Sequence, residues 1–458
     1  MDRMSPLDAS FLHVENENNH MHIASVAIFE GPPPRYVEIE EMVASKLHLV
    51  PRYRQLVRFV PLELGRPVWA DDPHFSLRYH IRHSSIPGPG SEEQLRNLVG
   101  RVMGQQLDRA RPLWEMWVVE GLEDDRWAIL SKTHHCMVDG VSGSDLLTVV
   151  MDAAPDMVRE PAPPWEPEPL PSGSELLTDA MLERLTSASE MVRSMRSAVR
   201  GPGRLRERLS ELATGAGSLG KLASSVDVGL NGPIGPHRRW DWARTTLADV
   251  KKVRVGLGGT VNDVVLAAIT KGIRTLMQSR GLPVEGQVVR SLVPVSVRRE
   301  DERGTPNNRV SAMFAELPVG IEDPVKRLES IREQMNDLKE KKQAVAAEAL
   351  TSLSGFAPPL LLALGGRVFA RVNQRNVQTV TTNVPGPQQP MYAAGRRMLH
   401  AMPYVPLAGS VRIGVAIFSY AGELSFGVTG DYDTAADIDV LCRGIEEGME
   451  ELLKVAAR

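Results

Sequence analysis

The sequence predicts a mixed α/β protein of more than one domain, and three observations point there. The chain has 458 residues, more than one ordinary hydrophobic core accommodates. Its first third alternates strand-like and helix-like runs separated by turns, and a second such region opens near His237. Between them lies a proline-studded stretch that excludes regular structure. Local hairpins mixed with helices favour mixed sheets with flanking helices over a doubly wound parallel sheet. The expected division is 1–154, a connecting segment 155–236, and 237–458.

The elements follow in order. Met21–Phe29 is strand-like and stops at Glu30-Gly31-Pro32-Pro33-Pro34; Val37–Leu49 has helical spacing, and Pro51 closes it. Leu113–Glu120 alternates as a strand, Gly121–Arg126 turns, and Trp127–Thr133 is a second β-like run. Pro155, Pro161, Pro163, Pro164, Pro167, Pro169 and Pro171 then make a semi-rigid linker or belt between domains. Ser174–Leu222 returns to helical spacing through Leu176, Leu177, Met181, Leu185, Met191, Val192 and Met195. Its many arginines, interspersed with glutamates, read as a solvated helix face, with contact to anionic lipid or a CoA phosphate as the sharper alternative. In the second region Val261–Thr270 reads as a helix entered through Gly258-Gly259-Thr260, and Val288–Val297 as a buried strand. Pro324–Lys341 is helical, Val377–Asn383 a strand, Val411–Ser419 with Glu423–Thr429 a hairpin, and Asp437–Val455 a closing amphipathic helix. No exact internal repeat is visible.

Composition narrows the function. A net charge of −4 gives no basic surface for nucleic acid. Cys136 and Cys442 form no disulfide framework and suit a reducing cytoplasm. The opening residues carry acids early and lack an apolar signal core, so secretion is not expected. No segment reaches the roughly 20 apolar residues a membrane span needs. The nearest approach, Phe356–Gly366, is stopped by Arg367 and reads as a buried helix start or as an apolar surface touching lipid.

The most telling stretch is His134-His135-Cys136-Met137-Val138-Asp139-Gly140, an H-H-x-x-x-D-G pattern between a β-like run and the amphipathic Val141–Val150. The mouth of a strand–loop–helix unit is where a general base meets a substrate. His134 points away from His135 if the strand persists, because side chains alternate, and reads as structural. The same alternation turns Cys136 away from His135 and weakens a cysteine-nucleophile reading. Asp139 sits where it can cap the following helix, and Gly140 permits a tight turn or close substrate approach. No metal is expected, since His134, His135 and Asp139 diverge. Gly256-Leu257-Gly258-Gly259-Thr260 lacks both the dinucleotide fingerprint and the P-loop lysine and reads as a turn, with CoA contact as the lesser alternative.

Further segments accompany the histidines: Ser5-Pro6-Leu7-Asp8-Ala9-Ser10-Phe11-Leu12, Pro112-Leu113-Trp114, Asn262-Asp263-Val264-Val265-Leu266-Ala267, Val293-Pro294-Val295-Ser296-Val297-Arg298 and Thr382-Asn383-Val384-Pro385-Gly386-Pro387. Together they resemble the bacterial wax ester synthase/diacylglycerol acyltransferases, within the superfamily of chloramphenicol and carnitine acyltransferases and nonribosomal condensation domains. The histidine pattern is shared across that superfamily. The N-terminal, PLW and NDVVLA segments are more specific, and the resemblance spans nearly the whole chain.

The resemblance implies two chloramphenicol-acetyltransferase-like domains with a channel between them, CoA entering from one side and the acceptor alcohol from the other. It implies that His135 is the general base, and that Asp139 makes an ion pair fixing the loop, with Arg54 and Arg298 as open partners. Asn262 is either an oxyanion donor or a helix brace. Asp263 reads as a helix-dipole or packing partner, and PLW as shaping the core or an acyl channel. Acyl-CoA is the implied co-substrate, with no permanently bound cofactor. Diacylglycerol, giving triacylglycerol, and long-chain alcohols, giving wax esters, are the implied acceptors. A cytoplasmic protein follows, with peripheral contact to a membrane or lipid droplet left open. Two other readings stand beside this one: a condensation-type domain served by a carrier protein, and a non-catalytic lipid-binding scaffold.

Overall fold

A computed structural model describes residues 1–138, 146–183, 228–296, 310–340 and 377–458. The strands are β1 (Asp2–Arg3), β2 (His22–Phe29), β3 (Gln55–Arg58), β4 (Val68–Asp71), β5 (Ile81–Ser85), β6 (Trp114–Glu120), β7 (Trp127–His134), β8 (Arg238–Thr246), β9 (Val289–Ser296), β10 (Val310–Leu317), β11 (Thr379–Pro385), β12 (Tyr392–Ala393), β13 (Arg396–Tyr404), β14 (Ile413–Tyr420) and β15 (Glu423–Asp431). The helices used below are α1 (Pro6–Val14), α2 (Tyr36–Lys46), α3 (Leu77–His80), α4 (Glu92–Met103), α5 (Leu146–Val150), α6 (Leu247–Leu257), α7 (Val261–Ser279), α8 (Pro324–Glu340) and α9 (Ile438–Ala456).

Two six-stranded sheets carry the molecule, in orders β12-β13-β2-β7-β6-β5 and β10-β9-β11-β14-β15-β8. Both are mixed, the first through the parallel β5–β6 pair and the second through β11, parallel to both β9 and β14. The expected α/β architecture is thus the observed one. The hairpin β14–β15 turns on Ala421 and Gly422, both at positive φ, the backbone that a two-residue hairpin with right-twisted strands requires.

The sheets do not sort by chain order. β12 and β13 come from the segment 237–458, yet β13 pairs with β2 in the first sheet, Ala401 opposite Ala27. Nothing in the periodicity of 396–404 singles out that crossing. It interlocks the halves, because β13 also packs on β14 and β15 of the second sheet. Gly427 is required there: a Cβ would sit 1.7 Å from the carbonyl of Pro403, which accepts a hydrogen bond from Trp240 Nε1 at 3.1 Å.

One face of the first sheet packs Ala27, Phe29, Trp127 and Ile129 against α1, α2 and α5; the other packs Val26, Ile28, Ala128 and Leu130 against α4. The second sheet is covered by α7, α8 and α9, which bury its core around Val415, Ile417 and Phe426. Residues 155–172 form no helix or strand, and the helix 173–183 packs Leu176 and Ala180 on Val60 and Val68, beside the small sheet β1-β4-β3. The remainder of the expected helix to Leu222, with most of its arginines, and the apolar run Phe356–Gly366 lie outside the described residues. Among the described residues no single helix is long and apolar enough to cross a membrane.

Candidate active site

Strand β7 delivers the histidine pair to the edge of a turn. His22 lies opposite His134 in the β2–β7 ladder. The His134 amide donates to the carbonyl of Leu113 at 2.9 Å, and the His135 amide to that of Met21 at 2.8 Å. The ladder therefore reaches His135 before the chain coils into a single 3₁₀ turn over His135–Met137. His134 closes that turn, its Nδ1 accepting from the Cys136 amide at 3.2 Å.

Beneath the turn is a buried polar cluster that sequence reasoning missed. Glu15 follows the C-terminus of α1, and its carboxylate oxygens lie 3.1 Å from His22 Nε2 and 3.6 Å from His134 Nε2. Arg109 approaches the second oxygen at 2.7 Å. Burial alone would raise the Glu15 carboxyl, but the contacts with His134 and His22 outweigh it and hold the group well below the ordinary carboxylate range. Burial pushes His22 down to about 3, so that ring is neutral at physiological pH. The only hint in the sequence was a histidine at the start of one β-like run and another at the end of a later one; their pairing is a tertiary fact.

His135 stands on the other side of β7. Helix α1 begins at Ser5, whose hydroxyl accepts from the Asp8 amide at 3.1 Å, with Pro6 at its first position. Four residues before Glu15, Phe11 stacks on the His135 ring, centroids 4.1 Å apart and planes 29° apart. The Nδ1 atom of His135 is buried without a hydrogen-bond partner among the described residues. Burial pushes its ring down to about 4; the residue's own carbonyl opposes that shift and His134 adds to it. The imidazole is therefore neutral across the physiological range, the form a base needs. Cys136 is 3% exposed, and burial pushes its thiol well up, away from the reactive thiolate.

The other expected residues are dispersed. Asp139, Gly140 and Arg298 lie outside the described residues. Arg54 lies over the ring of Trp165 at 4.4 Å, pinning the proline-rich belt, and makes no ion pair among the described residues. Leu113 of the PLW segment holds His134, while Trp114 donates from Nε1 to the Tyr53 carbonyl at 2.8 Å and stacks on His80. Asn262 is half-buried in the first turn of α7, and no hydrogen bond among the described residues joins it to His135. Asp263 is buried and closes a capping box: its carboxylate accepts from the Thr260 amide at 2.7 Å. Gly258 and Gly259 form the positive-φ turn entering that helix.

Comparison with known proteins places the chain. The wax ester synthase/diacylglycerol acyltransferase catalytic-domain model matches residues 4–265, and the C-terminal-domain model of the same family matches 307–453. The chain belongs to the wax ester synthase/diacylglycerol acyltransferase family. It is 37% identical over 460 residues to a Mycobacterium tuberculosis protein whose name reads probable diacylglycerol O-acyltransferase, covering 100% of this chain and 97% of that one. It is 30% identical to a second protein of that organism, from its Rv3371 locus, over 461 residues, covering 100% and 92%. The solved wax ester synthase/diacylglycerol acyltransferase of Marinobacter aquaeolei superposes with a TM-score of 0.69 at 25% identity, each chain covered in full. The first condensation domain of the calcium-dependent antibiotic synthetase shares the fold, with a TM-score of 0.61 at 15% identity over 100% and 96%.

Two cavities of this family member differ in kind. The larger, about 300 Å³, lies where α4 meets β8 and α9, and its charged walls pair with one another, Arg96 with Asp241 at 2.6 Å and Arg244 with Glu92 at 2.8 Å. These pairs join the halves and lie away from the histidines. The smaller, about 20 Å³, is apolar and lies over the first sheet, on the face that carries α1 and α5.

Proposed function

We propose that this protein is an acyl-CoA-dependent O-acyltransferase that esterifies diacylglycerol to triacylglycerol and also accepts long-chain alcohols, giving wax esters. The observation that carries the reading is His135: a neutral imidazole at the end of β7, held by Met21 and covered by Phe11, in a chain of this family. Its Nδ1 is walled off, so Nε2 is the nitrogen a substrate can reach.

His135 Nε2 takes the proton of the acceptor hydroxyl as that oxygen attacks the thioester carbonyl carbon. The tetrahedral oxyanion collapses, the carbon–sulfur bond breaks, and the imidazolium returns the proton to the CoA sulfur. A thioester is already activated toward alcohols, so one base suffices and no covalent enzyme intermediate is required. Acyl-CoA is consumed as a substrate, and no resident cofactor enters the reaction. Asn262 is assigned either to the oxyanion or to bracing α7, and Asp139 with Gly140 to holding the loop after the histidines. Both diacylglycerol and the ester are lipid-soluble, so the protein meets them at a membrane or lipid-droplet surface.

The test supplies purified protein with palmitoyl-CoA and either diacylglycerol or hexadecanol, following ester and free CoA. Ester should form and should be nearly abolished in a folded His135→Ala variant. Undiminished turnover in that variant would overturn the base assignment. Lipid binding without ester from any alcohol would identify a scaffold instead.

A further inference from the structure

We infer that the apolar cavity over the first sheet receives the acyl chain of the thioester about ten carbons from its carbonyl, and that Met151, Met398 and Ala401 set which chain lengths pass. The inference rests on the acyl-transfer reading above and specifies its donor.

The cavity and His135 share one face of one sheet. Ser25 of β2 lines the cavity, and its register partner on β7 is Ser131. Residues of odd number on β7 face this side, since Trp127 and Ile129 belong to the core that also holds Met151, Met398 and Ala401. His135 follows Ser131 by four residues, directly after the last residue of β7, and it stacks on a helix whose Ala9 and Leu12 join that same core. Four strand residues span about 13 Å. An extended chain advances about 1.3 Å per bond, from a 3.8 Å step over three bonds, so the cavity lies roughly ten carbons from a carbonyl held at His135.

The walls suit one unbranched chain. On one side are Leu147 and Met151 at α5, on the other Met398 and Ala401 of β13, with Met391 and Phe418 closing over them. The volume of about 20 Å³ holds little more than a water, so a longer chain enters only by displacing side chains. Methionine, unbranched and polarizable, is suited to that displacement. The backbone behind the methionines is fixed: the Tyr420 hydroxyl accepts from the Met391 amide at 2.9 Å and donates to the Met398 carbonyl at 3.1 Å. Soft side chains on a pinned backbone make a length filter. A diacylglycerol, with two chains on one glycerol, needs a wider opening than this and is placed elsewhere.

The test compares kcat/KM for hexadecanoyl-CoA and octanoyl-CoA with one alcohol, then for hexadecanol and octanol with one acyl-CoA. Ala401→Val should lower the hexadecanoyl-to-octanoyl ratio by about tenfold, the size of a methylene misfit in an apolar pocket, and Met398→Ala should raise it. The alcohol ratio should not move. An unchanged acyl ratio in folded Met398→Ala protein, or a shift in the alcohol ratio instead, overturns the assignment. Thermal unfolding verifies the fold, and Met398→Ala decides alone if Ala401→Val is unstable. Absence of ester in the unaltered protein would fail the acyl-transfer reading itself, a different outcome from an unaltered ratio.

Discussion

Phe11 covers the imidazole of His135, ring centroids 4.1 Å apart, so the N-terminal PLDASFL segment bears directly on the proposed base. The stack is one of the surfaces that keep the ring out of water, and burial is the main cause of its low basicity. Phe11→Ala should therefore let the His135 value rise from about 4 toward the ordinary 6.5. It should also cost about 1 kcal/mol of stability from the lost aromatic pair. The pH–rate profile of the variant should show its acid limb moved upward, and chemical denaturation should give the stability loss. An unmoved limb would mean that other groups desolvate the ring.

In the unaltered protein the acid limb of kcat/KM should lie near pH 4, since His135 acts as a base only when neutral. Stability should follow the same direction. His135 and His22 titrate at about 4 and about 3 in the fold, against 6.5 when unfolded. Between those limits the unfolded chain binds more protons, so stability falls as pH drops below 6.5, and above 6.5 neither ring contributes. Glu15, held low, contributes stability above its ordinary 4.5 that is lost on acidification. Denaturant midpoints measured from pH 8 to pH 4 should be flat at first and then descend.

Glu15→Gln removes the charge that Arg109, His22 and His134 share. Breaking a buried pair from one side costs about 3–5 kcal/mol, and the low end is expected here because Arg109 is 40% exposed and can turn to water. The His134 ring also closes the turn that presents His135, so kcat should fall more than KM rises. Unfolding curves and steady-state kinetics check the two parts. Equal stability in the variant would show that water replaces the carboxylate at no cost.

The sequence made the fold class legible because strand alternation and helical spacing are local signals. Trp127–His134, Val289–Ser296 and Ile413–Tyr420 stand close to where the pattern placed them. β13 was not legible: Arg396–Tyr404 mixes Arg396, Arg397, His400 and Pro403 with apolar residues, and its place beside β2 is decided by the far half of the chain. His135 was legible because its motif is contiguous. Glu15, His22 and Arg109 were not, because they meet His134 only through the β2–β7 register and the return of α1. Alternation gave the direction of His134 correctly up to the end of β7, but the turn at His135–Met137 is not strand, and Cys136 is buried there by the turn and α1 rather than by pleating.

Lys46 anchors the chain where it leaves α5. Its Nζ donates to the carbonyls of Val150 and Met151 at 3.0 and 2.6 Å and to Asp152 Oδ1 at 2.7 Å, closing the C-terminal end of α5. Asp152 is 1% exposed; it also accepts from Arg159 at 2.7 Å, and its backbone exchanges two hydrogen bonds with Tyr392 at 2.8 Å. The end of β7 is thus tied by Met21 and Leu113, and the chain at the end of α5 by Lys46. Lys46→Met keeps the aliphatic stem and removes the three donated bonds. Bonds from a charged donor contribute about 1.5–3 kcal/mol each in isolation, but Arg159 still neutralises Asp152 and the carbonyls can take water. A total loss of about 2 kcal/mol is therefore expected. Because Leu147 of α5 and Met151 just after it line the apolar cavity, kcat with hexadecanoyl-CoA should fall more than with octanoyl-CoA. Lys46→Arg, which keeps the charge and can reach the same acceptors, should restore most of both. A stability loss with unaltered kinetics would confine Lys46 to holding the fold.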